Sequence, residues 1–156
     1  WLYRGSGDGG FGRQGSIGGK WWSVNAMLGV GDWNGDRHAD VLARLSTDGT
    51  LWLYPGNGGG GWLTPSRVGR GWSGLDLLAA VGDLTGDGAP DVVARVAGTG
   101  TVRLYPGTGS GGFGAPRVLS VDATGFDALI GPGDWDGDGR DDLLARLNSG
   151  TNGACR

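Results

Sequence analysis

The chain repeats itself at a fixed interval of 51 residues with no insertion between copies. Gly31-Asp-Trp-Asn-Gly-Asp36 returns as Gly82-Asp-Leu-Thr-Gly-Asp87 and again as Gly133-Asp-Trp-Asp-Gly-Asp138. The same interval carries Tyr3 to Tyr54 to Tyr105, Phe11 to Trp62 to Phe113, Ile17 to Val68 to Leu119, and Arg44 to Arg95 to Arg146. A unit this short cannot bury a hydrophobic face alone, so neighbouring units must stack to make a core. The 156 residues therefore read as one repeat domain with units 1–51, 52–102 and 103–153.

Composition decides what each unit is made of. There are 37 glycines, several times the usual share of about 7%, and every one of the 16 acidic residues is Asp. Glu is absent, and Lys and Gln, which fill exposed helix faces, occur once each. The expectation is an all-β fold with four short strands per unit, separated by Gly-rich turns. The second unit shows them as Leu77–Val81, Asp91–Val96, Thr101–Tyr105 and Ser66–Gly69. Four strands every 40–50 residues is the spacing of a β-propeller blade. Strands within residues 1–18 are predicted to complete the blade begun by 128–147. Three blades are too few to close a ring, which leaves two copies making six blades or a segment of a larger propeller.

Each unit carries the pattern Asp-x-(Asn/Thr/Asp)-Gly-Asp-x-x-x-Asp. Its positions 1, 3, 5 and 9 are Asp32, Asn34, Asp36 and Asp40; Asp83, Thr85, Asp87 and Asp91; Asp134, Asp136, Asp138 and Asp142. Position 7 adds a backbone carbonyl from His38, Ala89 or Arg140. Calcium wants six to eight oxygens at short range, and a tight loop with alternate oxygen side chains delivers them. An EF-hand would need Glu at position 12, where Ala43, Ala94 and Ala145 stand instead. Asx-turns without an ion are the rival reading, but ten of the sixteen Asp residues fall in these loops, and clustered carboxylates repel unless a cation lies between them. The third loop has the fullest donor set. The first carries Arg37 at position 6, where Gly88 and Gly139 make the sharp turn more cheaply.

Gly111-Gly-Phe-Gly-Ala-Pro116, followed by Asp134-Trp-Asp-Gly-Asp-Gly-Arg-Asp-Asp142, resembles the FG-GAP repeat family. Phe113-Gly-Ala-Pro116 matches the motif best; Phe11-Gly-Arg-Gln14 and Trp62-Leu-Thr-Pro65 stand in its place in the other units. The resemblance implies a propeller, usually of seven blades, with calcium in the loop between the first two strands of a blade. It also implies a role in adhesion, ligand binding or accessory targeting, outside the cell.

The remaining residues point to binding rather than catalysis. His38 is the only histidine, and paired Asp residues occur only in the loops, so neither an activated nucleophile nor a glycosidase pair stands out and no enzyme is expected. A net charge of -3 offers no basic stripe for nucleic acid, and no run of 18 apolar residues suggests a membrane span. Trp33 and Trp135 at loop position 2, with Trp1 and Trp52 on third strands, are candidate stacking platforms for a sugar ring. The sequence thus reads as a secreted, calcium-stabilised module, with carbohydrate as first ligand and protein as second. An accessory part of a secreted hydrolase is the alternative. Arg44, Arg95 and Arg146 read as structural ion pairs with an Asp of a neighbouring turn.

Overall fold

The computed structural model describes residues 1–18 and 21–148. Its strands are β1 (Leu2–Gly5), β2 (Phe11–Gly15), β3 (Val24–Gly31), β4 (Asp40–Leu45), β5 (Leu51–Tyr54), β6 (Ser66–Gly69), β7 (Leu75–Ala80), β8 (Val92–Val96), β9 (Thr101–Tyr105), β10 (Arg117–Asp122), β11 (Phe126–Gly133) and β12 (Asp142–Leu147). Among the described residues two single 3-10 turns, Trp21–Ser23 and Trp72–Gly74, interrupt this all-β order. Among the described residues no helix is long and apolar enough to cross a membrane.

The strands form two complete antiparallel sheets, β3-β4-β5-β6 and β7-β8-β9-β10, and two half sheets, β1-β2 and β11-β12. Their registers follow the repeat. Val41 pairs with Tyr54 and Leu42 with Leu53, as Val92 pairs with Tyr105 and Val93 with Leu104. In the half sheets Leu2 pairs with Gly15, which is Leu53 with Ser66 shifted by one unit. β1-β2 is therefore the outer half of a sheet, strands three and four, and β11-β12 the inner half, strands one and two.

Burial follows from this stacking. β5 alternates buried Leu51 and Leu53 with half-buried Trp52 and Tyr54, the period of a strand with one covered face. Val92 and Val93 in β8 are both fully buried, because a strand in the middle of a stacked sheet is covered on both sides. Each such side chain contributes about 1.5–3 kcal/mol by leaving water. One core cluster lies between the two complete sheets, joining Leu28, Leu42 and Leu53 to Trp72, Leu75 and Val92. A second joins Val93, Val102 and Leu104 to Leu129 of the inner half sheet. Two of the four strands expected in the second unit coincide with β6 and β9. The first begins two residues early, at Leu75, because Leu77 takes a left-handed φ of 43° inside a register shift between Asp76 and Ala79. A bulge there breaks the alternation a sequence reader follows.

The repeated arginines hold sheets together. Arg95 Nε and Nη2 donate to the two Asp76 carboxylate oxygens at 2.8 and 2.9 Å, within one sheet. Arg95 Nη1 reaches into the next sheet and donates to the carbonyls of Ala123 and Phe126 at 3.0 and 2.7 Å. Arg44 does the same toward Trp72 and Leu75, with Asn25 in place of an Asp. Arg146 bonds Asp127. The Arg95 hydrogen bond holds the Asp76 carboxyl below the ordinary carboxylate range, so its stabilisation is present above the unfolded pKa near 3.8 and is lost as pH falls through the lowered folded value. Because the Asp76 side chain is 40% exposed, solvent screening trims the pair, and Asp76→Asn is expected to cost only about 1 kcal/mol at neutral pH. Urea titrations at pH 7 and pH 3 check this: a cost that persists undiminished at pH 3 refutes the pair as its source.

Candidate metal centres

Each acidic loop leaves the first strand of a sheet and returns into the second, and the three share one geometry. Asp32 Oδ1 accepts from the backbone N–H of Gly35 and Asp36 at 2.8 and 3.0 Å, and Oδ2 from Arg37 at 2.8 Å. Asp83 accepts in the same way from Gly86, Asp87 and Gly88, and Asp134 from Gly137, Asp138 and Gly139. Position 1 thereby winds the loop around its own carboxylate. The turn at position 6 needs a positive φ, which is 87° at both Gly88 and Gly139, and Arg37 adopts 69° despite its Cβ at a cost of about 1 kcal/mol. The first loop therefore keeps the shape of the other two.

Position 5 accepts from the N–H of position 7 at 2.9 Å in all three loops, through Asp36, Asp87 and Asp138. Side-chain donation by Asn34, then the His38 N–H, holds the Asp36 carboxyl below its ordinary range. At Asp83 burial pushes upward, yet the N–H donors of Gly88, Asp87 and Gly86 together outweigh it. At position 3, Asn34 and Asp136 accept from the N–H of position 5, and the Thr85 hydroxyl lies 3.3 Å from Asp83 Oδ1.

Position 9 does something the sequence did not announce. Asp40 Oδ2 accepts from Trp33 N at 3.0 Å, and its Oδ1 accepts from Gly56 N at 2.9 Å, just beyond β5. Asp91 accepts from Thr85 and from Gly107 in the same manner. The carboxylate thus ties its loop to the third strand of the sheet, and both side chains are buried. The repeated Pro55-Gly56 and Pro106-Gly107 was the available signal. A Cβ at Gly107 would run into the Pro90 carbonyl, so only Gly brings its N–H this close. Asp141 was also missed: its Oδ2 accepts from Asp83 N at 2.6 Å and so links the third loop to the second.

The donor set fits a hard cation. One oxygen each from Asp134, Asp136 and Asp138 lies within 4.8 Å of the others. At that separation each pair of charges repels by about 1 kcal/mol even at the dielectric constant of water. Burial raises the Asp91 pKa against its Gly107 and Thr85 donors, and the charges of Asp87 and Asp83 push the same way. A divalent cation in the loop opposes both effects, and all-oxygen donors in a flexible ring suit calcium best. His38, Ala89 and Arg140 hold position 7, where a backbone carbonyl is the donor available.

The aromatic candidates separate. Trp33 is fully buried, with its ring 4.8 Å from Phe113 of the next sheet, so it is no stacking platform. Trp33 faces the neighbouring sheet, which shields it from solvent. Trp135 and Trp1 are exposed, and Trp52 is half-buried with Nε1 donating to Thr50 Oγ1.

Stacked antiparallel sheets of four strands, each led by the same Asp-rich loop, define a tandem-repeat β protein. Residues 32–94 and 83–145 each match the model of the FG-GAP-like repeat, and the chain belongs to that family. No curated protein matches the chain.

Proposed function

We propose that the chain is a calcium-stabilised β-propeller module that works outside the cell and binds carbohydrate without catalysing a reaction. The three loops support calcium, and extracellular modules of this kind bind it at the concentrations found outside cells. A cavity of about 300 Å³ beside β5, lined by Trp21, Tyr54, Trp62, Leu63 and Pro65, carries the ligand reading. Trp21 and Tyr54 lie 4.6 Å apart, Trp62 stands 6.1 Å from Tyr54, and all three are half-buried. Rings with one face on the protein and another on an open cavity suit the apolar face of a sugar. The sequence pointed instead to Trp1, Trp33, Trp52 and Trp135; Trp33 is ruled out by burial, and the aromatic trio replaces it. Affinity per pocket is expected in the millimolar range, becoming useful where the pockets of several copies are displayed on one surface.

A glycan array followed by titration calorimetry tests this. Trp21→Ala is expected to abolish glycan binding while Trp22→Ala, at an exposed ring, leaves it intact. Silence across the array refutes the carbohydrate ligand and favours a protein one. Hydrolysis of any glycan refutes the non-catalytic reading.

A further inference from the structure

We infer that two copies of this chain close on each other, with Trp135 of each copy inserted into a socket on the other beside its Gly56, Gly60 and Trp62. This rests on reading the sheets as propeller blades. The junction between the two complete sheets shows how one blade meets the next. Trp33 of the first packs on Phe113 of the second, its carbonyl accepts from Gly111 N at 3.2 Å, and Gly107 leaves room for the indole edge. Leu84, one unit on, sits half-buried against the core that the inner half sheet shares. Trp135, a further unit on, is 70% exposed because no sheet stands beyond it among the described residues.

The matching socket exists and is open. Shifting Phe113, Gly111 and Gly107 back by one unit gives Trp62, Gly60 and Gly56, and these three line a cavity of about 510 Å³ together with Leu2, Ile17 and Val41. That volume takes an indole and part of its loop. The outer half sheet already stands at one wall, since Leu2 approaches Gly60 as Leu53 approaches Gly111.

Two more groups point to the same partner. Arg44 and Arg95 each donate through Nη1 to two carbonyls of the following sheet, and the shifted acceptors for Arg146 are the carbonyls of Trp21 and Val24 in the second copy. Arg146 is 70% exposed where Arg95 is 16% exposed. Asp40 Oδ1 and Asp91 Oδ1 accept from Gly56 and Gly107, whereas Asp142 has hydrogen bonds only to its Oδ2 among the described residues. The shifted donor is Gly5 N, at the end of β1 in the second copy, so the third metal loop is incomplete without it. The registers of β4-β5 and β8-β9 then pair Leu143 with Tyr3 and Leu144 with Leu2 across the copies. The inner half sheet of each copy becomes a full blade with the outer half of the other, and six blades fall within the range that closes a ring.

Sedimentation equilibrium of the 156-residue chain, with calcium in excess, is expected to give twice its 15.9 kDa mass. Trp135→Asp and Arg146→Ala are each expected to raise the dimer dissociation constant at least about 30-fold while the far-ultraviolet circular dichroism stays unchanged, as loss of a central anchor does. Val118→Arg, on β10 where the preceding sheet carries Arg67, is expected to leave the mass alone. A monomer at every concentration overturns the inference, as does a dimer indifferent to both variants or a series of larger species. Trp62 lines both this socket and the aromatic cavity, so mass is read without glycan, and a dimer that binds no glycan counts against the ligand alone.

Discussion

Excess chelator is expected to lower the melting midpoint of this chain by about 5–10 °C for every loop that gives up its ion. A cation bound at a hundredfold excess over Kd contributes about 2.7 kcal/mol to stability, and for a domain of this size each kcal/mol moves the midpoint by about 2–4 °C. The loops pass that energy to the sheets because Asp40 and Asp91 bond both the loop and the residue after the third strand. Relaxing a loop therefore loosens the sheet below it. Scanning calorimetry with calcium, with chelator and after calcium is restored checks the effect. An unchanged midpoint, with no calcium found by elemental analysis, refutes the calcium assignment.

Trp33→Ala is expected to cost about 3–5 kcal/mol and to lower the midpoint by roughly 10 °C, because it empties the largest fully buried side chain from the junction between the two complete sheets. Trp33→Phe is expected to cost far less. The indole Nε1 is buried with no hydrogen-bond partner among the described residues, and a ring without that donor removes a penalty of about 1–3 kcal/mol while refilling most of the volume. Thermal denaturation of both variants tests the pair of expectations together. A midpoint for Trp33→Ala within two or three degrees of the parent refutes the role of the indole as the junction's anchor.

The contrast between Trp33 and Trp135 also shows what could be read from the chain and what could not. The glycine-rich, Glu-free composition pointed to the all-β organisation and the 51-residue interval to the three acidic loops, since strand period and turn chemistry are local. The winding of each loop on its first Asp was not read in this way, because Asx-turns stood only as the rival to an ion. The burial of Trp33 was not legible either, because its socket is made by Gly107, Gly111 and Phe113, more than one unit away. Nor was the reach of Arg44 and Arg95 into the next sheet, whose acceptors are backbone carbonyls that any sequence supplies. The sequence reading placed the partner of Arg95 in a neighbouring turn, whereas Asp76 stands on β7 of the same sheet; in the first unit Asn25 fills that role, and an amide serves a single donor as well as a carboxylate does.

Trp33, Arg44 and Arg95 all reach forward, from one sheet to the one that follows it, and no sheet needs to know what lies two places away. An array joined in this manner has a heading, like a row of interlocking tiles with a tongue on one side and a slot on the other. Its free energy is then a sum over junctions. Lengthening or shortening by whole 51-residue units leaves every surviving junction unaltered, so the number of units can drift in evolution while the joint itself stays fixed. A lesion in one tongue weakens one joint and leaves the others to hold.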